Sequence, residues 1–103
     1  ALITKEYLEA NTSLASGLEA IDEGNGLGWR LVGRNPASYG DIGLDAVDLS
    51  KSTYGGSWIF GALGNSSFTA GLNTLAEQTY SIAMGYFSLS QGYSAIAIGN
   101  QSQ

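Results

Sequence analysis

The second half of the chain repeats a short pattern of small, apolar and glycine positions every seven residues. The fourth place of successive blocks is a large apolar residue, and the seventh place is usually glycine. The apolar series is Phe68, Leu75, Ile82, Leu89 and Ile96, and the glycine series is Gly64, Gly71, Gly85, Gly92 and Gly99, with Gln78 in the remaining place. Alternate blocks resemble each other more than neighbouring blocks do. The pattern therefore indicates a true period of fourteen residues, made of two unequal sevens.

A short strand closed by a glycine turn fits this unit better than a helix does. One glycine per seven residues would cost a helix about 1 kcal/mol each, and the repeat has no second apolar seam. Two strands and two turns in each period predict one coil of a flattened parallel β-solenoid, with coils about 4.8 Å apart. The glycines of the series are the predicted turn residues, because glycine adopts backbone angles that other residues resist.

The two predicted walls of each coil differ in polarity. The wall Ile82-Ala83-Met84 is apolar at three consecutive places, whereas in the wall Leu89-Ser90-Gln91 polar places follow the leucine. A thin coil has only one interior, so burial of both faces of the apolar wall requires cover from outside. We therefore expect identical chains packed around an axis. The predicted roll core is Phe68, Leu75, Ile82, Met84, Leu89, Ile96 and Ile98.

Residues 81–99 resemble the head repeats of trimeric autotransporter adhesins of the YadA type, which also occur in phage tail fibres. The shared motif is a small residue, an aliphatic residue, alanine, an aliphatic residue and glycine. It is present as Ser81-Ile82-Ala83-Met84-Gly85 and Ala95-Ile96-Ala97-Ile98-Gly99, with a degenerate copy at residues 67–71. The resemblance covers residues 58–103. It implies a trimeric left-handed parallel β-roll and attachment to host surfaces. Gln78, which replaces a turn glycine, departs from the pattern.

The first half of the chain has a different composition but also favours β-structure. Residues 18–21 and 29–33 are strand candidates on either side of the turn signal Asp22-Glu23-Gly24-Asn25-Gly26, so they predict a hairpin. Residues 42–49 are a third strand candidate. We expect a connector with a short helix at residues 1–14, a β-rich capping or linker module at 15–57, and about three coils of roll at 58–103. The predicted fold class is all-β, a homotrimeric parallel β-roll with 14-residue coils preceded by this module.

Charge and composition narrow the classes of function. The net charge is -5, which disfavours nucleic acid and anionic membranes as partners, and no apolar run approaches the length of a membrane span. Of the thirteen charged residues, all but Glu77 precede Gly55. The absence of Cys and His excludes disulfides, thiolate or imidazole zinc sites and Ser-His nucleophiles. We predict no catalytic residues, no metal and no cofactor.

Several side chains could carry chemistry, and each has a structural interpretation. Asp22, Glu23 and Asn25 could bind Ca²⁺, but a solvated turn is favoured because the calcium-loop order is missing. Asp41, Asp45 and Asp48 are interpreted as surface charges on strands, and Arg30 and Arg34 as partners of acidic residues. A glycosidase pair such as Glu19 and Asp22 would need a cleft that nothing in the sequence builds. The hydroxyl row Ser67, Thr74, Ser81 and Ser88 leaves an ice-binding solenoid as a third hypothesis.

Exposed aromatic residues are the candidate contacts for a receptor. Tyr80, Tyr86 and Tyr93 could stack on sugars, and the alternative is that they pack at junctions between subunits. The sequence thus favours a non-enzymatic trimeric segment of a phage tail fibre, since the chain opens without Met and shows no stalk or anchor. The alternative is the head of a bacterial trimeric adhesin. Both place the protein outside the cell or on a virion tail, with a host glycan or protein as partner.

Overall fold

The computed structural model describes residues 17–53 and 59–102, which form nine β-strands and one turn of 3-10 helix. The helix is Pro36–Ser38, and Asn35 caps it by accepting a hydrogen bond from the Ala37 N–H. The strands are β1 (Leu18–Asp22), β2 (Leu27–Leu31), β3 (Val47–Lys51), β4 (Gly61–Ala62), β5 (Phe68–Leu72), β6 (Leu75–Ala76), β7 (Ile82–Tyr86), β8 (Leu89–Ser90) and β9 (Ile96–Asn100).

The strands form two walls of a β-solenoid of about five turns. The long wall is a six-stranded sheet in the order β1-β2-β3-β5-β7-β9, and the short wall is a three-stranded sheet in the order β4-β6-β8. Every pairing is parallel except the hairpin β1–β2. The prediction of an all-β solenoid is confirmed. The sequence predicted about three coils, and the number is larger because β2 and β3 extend the same sheet.

The register places equivalent residues of the repeat above one another. Ile82 lies opposite Phe68, and Ile96 lies opposite Ile82 on the next strand of the long wall. On the short wall, Leu89 lies opposite Leu75. Side chains of the same type therefore stack in rows along the solenoid axis.

The predicted hairpin is confirmed at the start of the solenoid. β1 and β2 pair antiparallel with Ala20 opposite Trp29, and β2 then pairs in parallel with β3. The prediction for the third strand is wrong in its first half, because the strand begins at Val47. Asp45 has a φ of 58°, which interrupts an extended backbone. The predicted helix at 1–14 lies outside the described residues, and so does most of the junction around residue 57.

The turns depend on left-handed residues as well as on glycine. Non-glycine residues with positive φ recur every seven residues, in the second place of each block: Ser66, Asn73, Tyr80, Phe87, Ser94 and Gln101. Three of the predicted turn glycines, Gly71, Gly85 and Gly99, belong to long-wall strands and have positive φ values of 112°, 111° and 130°. The other two, Gly64 and Gly92, do not have a positive φ. At Gly64 the requirement is close approach, since an added Cβ would overlap the Gln78 carbonyl.

Small residues fill the interior of the coils. Thr69, Ala83 and Ala97, the second residues of β5, β7 and β9, are buried. The short wall contributes the buried residues Thr74, Ala76, Ser88 and Ser90. Among the described residues, the hydrophobic cluster of fully buried side chains consists of Ile42, Ala46 and Ala62, with Ile21 packed against it. The larger apolar side chains that the described residues bury are Tyr39, Ile42, Phe60 and Leu75, and the long wall of the repeat contributes none of them.

Candidate assembly surface and aromatic corners

The outer face of the long wall carries the larger apolar residues of the repeat. Side chains alternate along a strand, so the neighbours of buried Ala83 and Ala97 point away from the interior. Phe68, Ile82 and Met84 are half-buried by their neighbours in the stack, and Ile96 and Ile98 are each 62% exposed. We call this face of β5, β7 and β9 the apolar face.

The predicted roll core is thus divided between two environments. Within one chain, Leu75 is buried and Leu89 is half-buried on the short wall. The predicted long-wall core residues Phe68, Ile82, Met84, Ile96 and Ile98 lie on the apolar face and outside the coil. The buried alternate places of β5, β7 and β9 are occupied by Thr69, Ala83 and Ala97. Burial of the apolar face therefore depends on something other than this coil.

Charge is absent from the part of the surface around β7–β9. No charged residue occurs between Gln78 and Ser102. The charged side chains of the described residues are instead concentrated in the hairpin and the first turns. Copies of a chain with net charge -5 would therefore meet at the apolar face without direct repulsion between like charges.

Two of the predicted receptor contacts lie together at one end of the long-wall strands. We call residues 78–80 and 92–94, which precede β7 and β9, the first corner. The rings of Tyr80 and Tyr93 meet edge to face there, with centroids 5.5 Å apart. The two side chains are 54% and 70% exposed. Tyr80 has a φ of 61°, an uncommon conformation for a bulky residue.

The third predicted contact lies at the opposite end of β7. We call residues 85–87 the second corner. Tyr86 packs edge to face on Phe87 with centroids 4.7 Å apart, and Phe87 in turn contacts Phe60 at 5.7 Å. Tyr86 is 41% exposed. The structure therefore brings Tyr80 and Tyr93 together and separates both from Tyr86 by the length of the strand.

A buried ionic cluster joins the hairpin to the first turns of the solenoid. Arg30, which is 1% exposed, donates hydrogen bonds to Glu23 at 2.8 and 3.4 Å and to the Gly40 carbonyl at 3.3 Å. Its guanidinium lies 4.5 Å from the centre of the Tyr39 ring. Asp48 lies 4.0 Å away and is fully buried. The pairing predicted for Arg30 is confirmed, and the surface position predicted for Asp48 is wrong.

Asp48 is held inside the solenoid by hydrogen bonds to its Oδ1 atom. The Ser50 N–H, the Ser50 hydroxyl and the Thr69 hydroxyl donate to it at 2.9, 2.5 and 2.7 Å. Asp48 and Thr69 occupy neighbouring places in adjacent strands, so this carboxylate links β3 to β5. The alternating pattern of β3 placed Asp48 on a strand, but its inward direction depends on the register of the sheet.

The surroundings shift the pKa values of two groups in the cluster, the Glu23 carboxyl and the Tyr39 hydroxyl. Burial by itself would raise the pKa of Glu23, but hydrogen bonds from Arg30 and the Ile42 N–H, with the charge of Arg30, lower the pKa below its ordinary value of 4.5. Burial raises the pKa of Tyr39, whose hydroxyl donates to the Ser50 carbonyl at 2.9 Å. These contacts indicate that the cluster has a structural role, which is to link the hairpin to the first turns of the solenoid.

The alternative chemistries from the sequence find little geometric support. The Asp22 carboxylate accepts from the Gly24 and Gly26 N–H groups, and Glu23 binds Arg30. Within residues 17–53 and 59–102, no three acidic side chains group closely enough to hold a metal ion. The hydroxyl row of Ser67, Thr74, Ser81 and Ser88 is buried and offers no exposed array to ice. In the same ranges no helix has the length and apolarity to cross a membrane.

Comparisons of the chain with models of protein families, with curated proteins and with solved structures found no match.

Proposed function

We propose that this chain is a segment of a homotrimeric fibre that attaches to a host cell surface and performs no catalysis. Each chain contributes 14-residue coils of the YadA head type, and the trimer forms by closure of the apolar face around an axis. The single observation that carries the proposal is the apolar face. It leaves Ile96 and Ile98 of the edge strand β9 each 62% exposed and Phe68, Ile82 and Met84 half-buried, while the inward places of β5, β7 and β9 hold only threonine and alanine.

The energetics of the fold support assembly. A hydrophobic side chain contributes about 1.5–3 kcal/mol to stability when it is fully buried, and here the large apolar side chains of the long wall lie on the outside. A solenoid whose interior is lined by small residues gains less from its own folding than one with a large core. Burial of the apolar face between copies would supply the missing contribution. The register of Phe68, Ile82 and Ile96 supports the 14-residue coil, since each pairs with the next.

Two walls packed face to face would cover the apolar face, as would three walls around an axis, so a mass measurement has to distinguish two chains from three.

The proposal of attachment rests on the resemblance to head repeats. Attachment to a host surface occurs in two biological settings. In a phage tail fibre the ligand would be a glycan of a bacterial envelope. In the head of a bacterial trimeric adhesin it would be a glycan or protein of a eukaryotic host. Both settings expose the fibre outside the cell, and both use a rigid rod of stacked coils to hold a binding surface away from its base.

Two measurements test the proposal. Sedimentation equilibrium at several concentrations should give three times the mass of the 10.7 kDa chain, and a folded single chain would contradict it. Labelled protein should then be applied to panels of bacterial cells with defined surface glycans and to immobilised matrix proteins. Saturable binding to the first panel favours the tail fibre, and binding to the second favours the adhesin. A trimer that binds neither panel would refute attachment by this segment, which would then act only as a spacer in the fibre.

A further inference from the structure

We propose that the two aromatic corners form the junction between neighbouring chains, with Tyr80 and Tyr93 of one copy packed against Tyr86 of the next. This inference rests on the proposed assembly and adds the residues that close it. It assigns the exposed tyrosines to an interface with a second copy of this chain.

Symmetry requires the two corners to meet if the apolar face turns toward an axis. In a closed ring each contact is heterologous, because one patch of a subunit meets a different patch of its neighbour. When the apolar face points inward, the patches at each junction are the two lateral edges of the long wall. Those edges carry the first corner, before the start of β7, and the second corner, at the end of β7.

Tyr80 of the first corner and Tyr86 of the second also lie at the same height along the solenoid, and Tyr93 lies one coil further along. Tyr80 precedes β7 by two residues, and Tyr86 is its last residue. Rotation about an axis parallel to the stack leaves height unchanged, so the first corner of one chain comes opposite the second corner of the next at the same coil. Aromatic residues at equal height on both edges are what such a junction needs.

The chemistry of the corners suits a contact between copies. Tyr80, Tyr93 and Tyr86 are 54%, 70% and 41% exposed, which is a large aromatic area to leave in water. Each cluster already uses edge-to-face geometry, the arrangement that adds about 0.5–1.5 kcal/mol per aromatic pair beyond area burial. No charged residue lies between Gln78 and Ser102 to oppose the approach of an identical chain.

Engineered cysteines test the contact directly, because the natural chain contains no cysteine. The variant Tyr80→Cys with Tyr86→Cys should form disulfides between chains under mild oxidation. The two positions lie at opposite ends of β7, whose four steps from Ile82 to Tyr86 span about 13 Å, whereas a disulfide needs Cα atoms within about 7 Å. A bond between them therefore has to join two copies. Tyr93→Cys with Tyr86→Cys is a second pair, and a short bismaleimide relaxes the geometric requirement for both.

The expected result is a ladder of two and three covalently joined chains on a denaturing gel. The single variants are matched controls, since cysteines at equivalent positions do not meet in a heterologous contact. At micromolar protein each double variant should give about tenfold or more product than either single variant, because contact inside an assembly acts as a high effective concentration. Mixing the Tyr80→Cys and Tyr86→Cys singles should give a product of two chains.

The outcomes separate this inference from the proposed function. Covalent products of at most two chains would support the corner contact and contradict the three-fold symmetry. An unchanged trimer mass without cross-links in either double variant would overturn the corner contact and retain the trimer. A single-chain mass would remove both. Loss of glycan binding by Tyr80→Asn in an intact trimer would also overturn the inference, because the ring would then contact a receptor.

Discussion

Substitution of Gly85 by alanine should be far more damaging than the same substitution at Gly92, although both occupy the seventh place of the repeat. Gly85 has a φ of 111°, and an added Cβ would lie 2.9 Å from the carbonyl carbon of Gly99 and closer still to its oxygen. Gly92 is not left-handed, and its added Cβ would meet the Ala95 methyl group at 3.4 Å, an ordinary contact.

The cost of Gly85→Ala has two parts. A non-glycine residue held in a sparsely populated backbone region costs on the order of 1–3 kcal/mol, and overpacking adds a similar 1–3 kcal/mol. The sum is about 4 kcal/mol, a large fraction of the 5–15 kcal/mol that stabilises a typical domain. For a chain of this size, the melting temperature should fall by on the order of 20 °C. Gly92→Ala should lie within about 1 kcal/mol of the natural protein, since it only restricts the unfolded chain.

Urea unfolding followed by far-ultraviolet circular dichroism measures both free energies. All samples need the same protein concentration, because the proposed assembly would make stability depend on concentration. The reasoning is refuted if Gly85→Ala unfolds within about 1 kcal/mol of the natural chain. Equal losses for the two variants would also refute it, because the glycines would then act only through their position in the turn pattern.

Three further predictions concern the buried cluster and the apolar face. Arg30→Ala should lower the free energy of unfolding by about 3–5 kcal/mol in urea, because it leaves buried carboxylates uncompensated, while Lys51→Ala on an exposed side chain should change little. The lowered pKa of Glu23 contributes stability that is present above 4.5 and is lost as the pH falls through the folded-state value. Melting temperatures at about pH 6 and about pH 3 should therefore differ less in Glu23→Gln than in the natural chain. Ile98→Lys should dissociate the proposed assembly in sedimentation, because it would place charges at the proposed axis, whereas Gln91→Lys should not.

Each of these predictions has a contradictory result. A loss below about 1 kcal/mol for Arg30→Ala would mean that the cluster is solvated in solution. An unchanged acid response in Glu23→Gln would assign acid sensitivity to other carboxylates. An Ile98→Lys variant that keeps the mass of the natural assembly would show that the apolar face points away from the contact between chains.

The period of the sequence predicted the strands of the solenoid because side-chain spacing and turn chemistry are local properties. The hairpin at Asp22-Glu23-Gly24-Asn25-Gly26 and the rows that stack Ile82 on Phe68 were both predicted. The number of turns was underestimated because β2 and β3 belong to the long wall without sharing its repeat. Their membership depends on pairing between distant residues, which no local pattern records.

The candidate sites were also predicted in part by the sequence and decided in part by the tertiary structure. The sequence identified the aromatic residues and the apolar wall, because composition and spacing are visible in the chain. Only the tertiary structure decided which side chains face the interior: it buried Asp48, placed Ile96 and Ile98 outside, and separated Tyr86 from Tyr80 and Tyr93. The physical reason is register. One step along a strand moves a side chain to the opposite face of the sheet, and the partner strand determines which face becomes the interior.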